Sequence, residues 1–143
     1  MAYSTEADIL KDISSVELAQ LTSESDDTVD HDVVAKAILD ADAEIDGYLA
    51  VRSSVPLDPV PALVAKLSTR IALYNLFSRR ASRAGGVNET VKDNYERSVE
   101  ILKAIAKGDV KLGVDAPVAA APSPGAQVSA PSRLFTRDTL QGF

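Results

Sequence analysis

Hydrophobic positions along the 143-residue chain follow the helical period in five successive stretches and lose it completely after Gly108. Thr5-Glu6-Ala7-Asp8 places a hydroxyl before a first turn with an acid at its third position, which is a helix-start signal. Ile9, Leu10 and Ile13 then give a short apolar stripe. Ser14 or Ser15 restarts a second short helix through Val16, Leu18 and Leu21. Helices this short are unstable alone, so both must lie on larger ones. A third helix is expected from about His31 to Val51, with Asp30 as cap and Ala37, Ile38, Ala41, Ile45, Tyr48 and Leu49 on one side. Gly47 lowers its propensity, which would make sense where another backbone approaches closely.

Ser53-Ser54-Val55-Pro56 ends that helix, because the residue before proline resists the α region. Pro59 and Pro61 suit the first turn of a fourth helix, with Asp58 as its cap. This helix, about Val60 to Ser82, carries Leu63, Leu67, Ile71, Tyr74 and Phe77, with Leu73 and Leu76 further round, so it is buried on more than one side. Arg70 sits within the stripe and is expected to pair with Asp42 or Asp46, or to reach the edge. Gly85-Gly86 breaks the chain. A fifth helix runs from Asn88 to about Lys107 through Val91, Tyr95, Val99, Leu102 and Ala106, with Ser98 small enough for close approach and Gly108 as its stop. The expected fold is all-α: a compact bundle of about five helices over residues 1–108, with a long extended C-terminal arm.

That arm differs in kind. From Asp115 to Pro131, 10 of 17 residues are Ala or Pro. Residues 109–131 therefore read as a semi-rigid linker, whose Asp115–Pro131 stretch can span roughly 50 Å in polyproline geometry. Residues 132–143, SRLFTRDTLQGF, are too apolar for an idle terminus. Arg133, Leu134, Phe135, Arg137, Leu140 and Phe143 read as a partner-docking segment that orders when it meets a groove or a sheet edge.

Charge sharpens this picture. Residues 1–46 hold 13 acids against 2 bases, whereas residues 47–143 hold 8 acids against 13 bases. Unlike ends of neighbouring subunits would attract, and the acidic part would repel nucleic acid. Asp40/Glu44 and Asp42/Asp46 are like-charge i,i+4 pairs that each cost an isolated helix about 0.2–0.5 kcal/mol. Bases on a neighbouring helix or another subunit would offset that cost, so these acids, with Arg79, Arg80 and Arg83, are expected at a subunit contact. The three arginines also favour the negative end of the fourth helix dipole. As a nucleic-acid signal they are weak, lacking interleaved aromatics.

Catalytic and metal chemistry find little support. A calcium loop starting at Asp26 would have His31 where the turn needs Gly and Ala37 where a bidentate Glu should close the site. An acid-pair active site needs a pocket and unequal pKa values, which the sequence does not supply. With a single His, no Cys and no glycine-rich phosphate loop, neither enzyme nor cofactor is expected. The absence of Cys also fits a reducing compartment. The most apolar run, Val60 to Phe77, is interrupted by Lys66 and Arg70, so no membrane span is expected.

Several segments together, MAYSTEADIL, LAQLT, DADAEIDGYLAVR, VPLDPVPALV, the Tyr74-containing helix and RLFTRDTLQGF, resemble the head–tail connector (head completion or adaptor) proteins of Mu-like phages and prophages. The resemblance spans nearly the whole chain, and EIDGYL with the following proline steps is its most specific part. It implies a structural protein of the virion neck, assembled in the bacterial host cytoplasm. The implied form is a homo-oligomeric ring, typically a dodecamer, joining the portal protein to tail or tail-terminator proteins. By this resemblance DNA would pass through the ring channel without specific binding, Asp40, Asp42, Glu44, Asp46, Arg79, Arg80 and Arg83 would lie at a subunit contact or channel wall, and residues 132–143 would dock on the portal or a neighbouring subunit. The competing reading from the residues is a small helical nucleic-acid-binding or regulatory protein using Arg79, Arg80 and Arg83.

Overall fold

The structure is a computed structural model that describes residues 2–23, 28–84 and 87–112, with the side chains of 81–84 excepted. These residues form five helices and no strand: α1 (Glu6–Asp12), α2 (Ser15–Thr22), α3 (His31–Leu49), α4 (Ala62–Ala84) and α5 (Glu89–Lys107). Each boundary lies within about two residues of the one expected from the sequence. The caps explain most of them. Ser14 Oγ accepts from Glu17 N, Asp30 from Asp32 N and Val33 N, and Asn88 from Thr90 N. Thr5 donates both its N–H and its hydroxyl to the Asp8 carboxylate, which also takes Lys11 Nζ at 2.7 Å. The Lys11 bond foremost, then those from Thr5, holds the Asp8 carboxyl down at about 2.

The start of α4 differs from expectation. Asp58 lies too far upstream to cap it, and Pro59 and Pro61 precede its first turn; the Pro61 carbonyl accepts from Ala65 N instead. The connection needs the extra length because Leu57 is drawn into the core before the helix begins.

α4 is the central element, touching α1, α2, α3 and α5. Its Val64, Leu67, Ile71, Ala72 and Leu76 are fully buried, and Leu73 nearly so. The breadth of that buried surface is the multi-sided burial its composition implies. α3 packs along it antiparallel, with Asn75 reaching the Ala37 carbonyl and Ser68 reaching Asp42. α3 contributes Val34, Ala37, Ile38, Ala41, Ile45 and Leu49 to the core. α5 closes the three-helix core with Leu102, Ile105 and the fully buried Ser98, whose hydroxyl is satisfied by the Asn94 carbonyl at 2.7 Å. The short helices lie against this unit through Ile9, Leu18 and Leu21, whereas Leu10 and Val16 face outward.

The expected close approach at Gly47 does not occur among the described residues. No atom of another described element lies within 4 Å of where its Cβ would be. The calcium-loop reading and the Gly85-Gly86 break fall wholly or partly outside the described residues, as does everything from residue 113 onward, including the linker and the 132–143 segment.

Candidate functional site

The acids of α3 do not behave as one surface. Asp40 is exposed and holds Lys36 at 2.8 Å, one turn away. Glu44 accepts a 3.1 Å bond from the Tyr95 hydroxyl, and Tyr95 stacks on Tyr74 with centroids 4.0 Å apart and planes 10° from parallel. Burial first, then the Glu44 charge, pushes the Tyr95 phenol up to about 12. Glu44 thus ties α3 to α5.

Asp42 and Asp46 serve the N-terminal segment. Asp42 is only 5 % exposed. One of its oxygens accepts from Tyr3 N at 2.9 Å and the other from Ser68 Oγ at 2.6 Å. Ser68 Oγ in turn lies 2.7 Å from Ser4 Oγ. The Tyr3 hydroxyl donates to Asp46 and accepts from Leu57 N at 3.0 Å. Tyr3, Ser4, Asp42, Asp46, Ser68 and Leu57 form a buried clasp that fixes the chain before α1 onto α3, α4 and the connection between them. Burial raises the Asp42 carboxyl above its ordinary value, opposed by the Ser68 and Tyr3 bonds and reinforced by nearby Asp46. Burial, then the bond to Asp46, pushes the Tyr3 phenol up to about 12. Turned inward like this, Asp42 presents almost no surface of its own, and Arg70 pairs with neither Asp42 nor Asp46. The i,i+4 pattern suggested an acidic flank because the group that fills its space, Tyr3, comes from 39 positions earlier.

The arginines divide as well. Arg79 Nη1 donates to the carbonyls of Leu21 and Thr22 at 3.4 and 3.1 Å, capping the C-terminal end of α2. Arg80 is half-buried, and the Arg83 side chain lies outside the described residues. A second distant cap comes from Arg52. Its Nε and Nη2 donate to the carbonyls of Ala106 and Lys107 at 2.9 and 2.7 Å. Gly108 closes α5 in the left-handed region at φ 92°, where the side chain of any other residue would meet the Arg52 guanidinium. Arg79→Ala is expected to cost about 1 kcal/mol in urea unfolding, the net worth of a cap whose carbonyls partly regain water.

His31 Nδ1 sits 2.8 Å from Glu6 Oε2, linking the start of α3 to α1 at the surface. That bond, then the Glu6 charge, raises the imidazole above 6.5. A group whose folded pKa is raised binds its proton more tightly when folded. The contribution is therefore complete below pH 6.5 and lost as pH rises through the raised value. An NMR titration of His31 should give a pKa above 6.5 that falls back in Glu6→Gln.

A groove of about 820 Å³ runs along α4 from Ala62 to Phe77, walled by α1, Ile13, Glu17 and the start of α5. Ala65, Leu73, Phe77, Ile13 and Val91 supply apolar lining, and Asp8, Lys11, Asp12, Glu17, Lys66 and Arg70 supply charge. Among the described residues no group of three or more His, Cys, Asp or Glu is placed to hold a metal ion, and no helix is long and apolar enough to cross a membrane.

Residues 3–130 match the family model described as Bacteriophage Mu, Gp36. The chain belongs to the Bacteriophage Mu Gp36 family. It is 30% identical over 117 residues to the Mu-like prophage FluMu protein gp36 of Haemophilus influenzae, covering 81% of this chain and 79% of that protein. It is 31% identical over 124 residues to Gene product J of Escherichia phage Mu, covering 85% and 84%. The Gp36 match takes in the clasp, all five helices and most of the linker, and stops short of Ser132–Phe143.

Proposed function

We propose that this chain is a non-enzymatic structural protein of the phage virion, a head–tail connector of the neck that forms a homo-oligomeric ring between the portal protein and the tail or tail-terminator proteins. Membership of the Gp36 family over residues 3–130 carries the reading, because it ties the whole described body to a Mu-like phage protein. The charge distribution supports the ring: a strongly acidic first third and a basic remainder suit side-by-side contact of like subunits. DNA passing through an acid-lined ring would slide without sticking, since carboxylates repel phosphates. Asp40 is the α3 acid best placed for such an outward role, being exposed and paired only within its own helix.

The alternative, a small nucleic-acid-binding protein, loses one of its three arginines to the α2 cap. The test combines assembly and binding. Purified protein mixed with portal complexes should form rings visible by electron microscopy, and should not retard duplex DNA at physiological salt. Failure to assemble on portals, together with salt-dependent DNA binding that Arg80→Ala/Arg83→Ala abolishes, would replace the connector with the alternative.

A further inference from the structure

The groove along α4 has a size and charge pattern that match the C-terminal segment, and we propose that it receives residues 132–143 of a neighbouring copy of this chain. The inference deepens the ring reading, since docking in trans requires adjacent copies. Three observations carry it.

First, the groove is long and two-sided. Ala62 to Phe77 spans about 22 Å of helix. An extended segment puts Leu134 and Leu140 about 20 Å apart, so the Leu134-Phe135 and Leu140-Phe143 clusters can sit towards opposite ends of the groove. Its half-buried lining, Ile13, Phe77 and Val91, gives those side chains apolar surface to cover.

Second, the charges are complementary. Asp12 and Glu17 on the wall, and Lys66 and Arg70 along α4, make no ion pair with any described residue. Arg133 and Arg137 would face the acids and Asp138 the bases. A fold that leaves two acids and two bases around an apolar trough without an ion pair among the described residues presents the counterpart of a segment reading R-L-F-x-R-D.

Third, the tether is long for its own body. The 19 residues from Gly113 to Pro131 reach about 60 Å in polyproline geometry. The exit point at Gly108 is one α5 length, about 28 Å, from the α5 end of the groove. Docking in cis needs about half that reach, and the surplus is enough to carry the segment to an adjacent copy.

The absence of cysteine makes a direct test clean. Full-length Lys66→Cys and full-length Thr136→Cys chains are mixed and oxidised up to the solubility limit. A disulfide-linked heterodimer is expected, with yield at least tenfold above that of Ala35→Cys paired with Thr136→Cys, since Ala35 lies on the outer face of α3. Asp12→Arg/Glu17→Arg in the groove chain should lower the yield, and Arg133→Glu/Arg137→Glu in the tail chain should restore it. Equal yield at Ala35, or no cross-link at all because the segment docks on another protein, overturns the proposal. So does preferential closure of the doubly substituted Lys66→Cys/Thr136→Cys chain on itself. Electron microscopy of the same samples separates the two readings. Rings without the cross-link refute the docking alone, and the cross-link without portal assembly refutes the connector alone.

Discussion

Asp42→Ala should destabilise the folded chain by about 3 kcal/mol, lowering its melting temperature by about 15 °C. Truncation leaves the Tyr3 N–H and the Ser68 hydroxyl without their acceptor in a site that is almost fully enclosed. A buried donor left unpaired costs about 1–3 kcal/mol, more than its bond contributes when made. Asp42→Asn is the informative partner. Its carbonyl oxygen can still accept from Tyr3 N, and its amide can donate to Ser68 Oγ, which then turns its own proton to Ser4. The substitution also removes a charge whose burial is unfavourable, so its loss should stay below about 1 kcal/mol. The two variants should part with pH too. Asp42 has a raised folded pKa, so the wild type carries no penalty from this group below pH 3.8 and acquires it as pH rises through the raised value. Asp42→Asn lacks that dependence. Urea titrations at several pH values measure both effects, and equal losses in the Ala and Asn variants would show that the clasp bonds are not what holds the N-terminal segment.

The second large effect belongs to α4. Leu67→Ala should cost about 3–4 kcal/mol, because Leu67 is fully buried on the helix that every other element touches. The side chain is enclosed by a packed core that can only partly collapse into the space left behind. Against a total stability of roughly 5–15 kcal/mol, that loss removes about a fifth or more of what holds the chain folded. Val16→Ala, at an exposed position with the same helical period, is the control and should change stability by under about 0.5 kcal/mol. Equivalent losses at the two positions would mean that α4 is not the packing centre.

Much of this architecture was legible in sequence because it is local. The stripe Ala37, Ile38, Ala41, Ile45 and Leu49 is a statement about one helix, and the structure buries all five. Capping by Asp30 and Asn88, and the stop at Gly108, are likewise decided within a few residues. In α5 the buried line runs through Ser98, Leu102 and Ile105 rather than through Val91, Tyr95 and Val99, which are half-buried. The periodicity marked the face, and the neighbouring helices set where its centre lies. The clasp was not legible, because nothing near Asp42 announces Tyr3. An aromatic followed by a serine just ahead of a helix start was the available signal, and it names no acceptor. Arg52 and Arg79 were hidden for the same reason: a cation that caps a helix end 54 or 57 positions away looks, in sequence, like a surface charge.

Arg52 has one further consequence. By gripping the last two carbonyls of α5 from the turn after α3, it fixes the point from which the remaining chain departs to the rigid body, rather than to a fraying helix end. A tether that starts at a fixed point turns binding at its far end into an event governed by effective concentration, on the order of millimolar for a span it can comfortably bridge. A segment with weak affinity of its own can then hold its target firmly, and can be replaced one contact at a time when copies are added or rearranged. If residues 132–143 dock as proposed, loosening Arg52 would dilute that local concentration without changing a single atom of the docking segment.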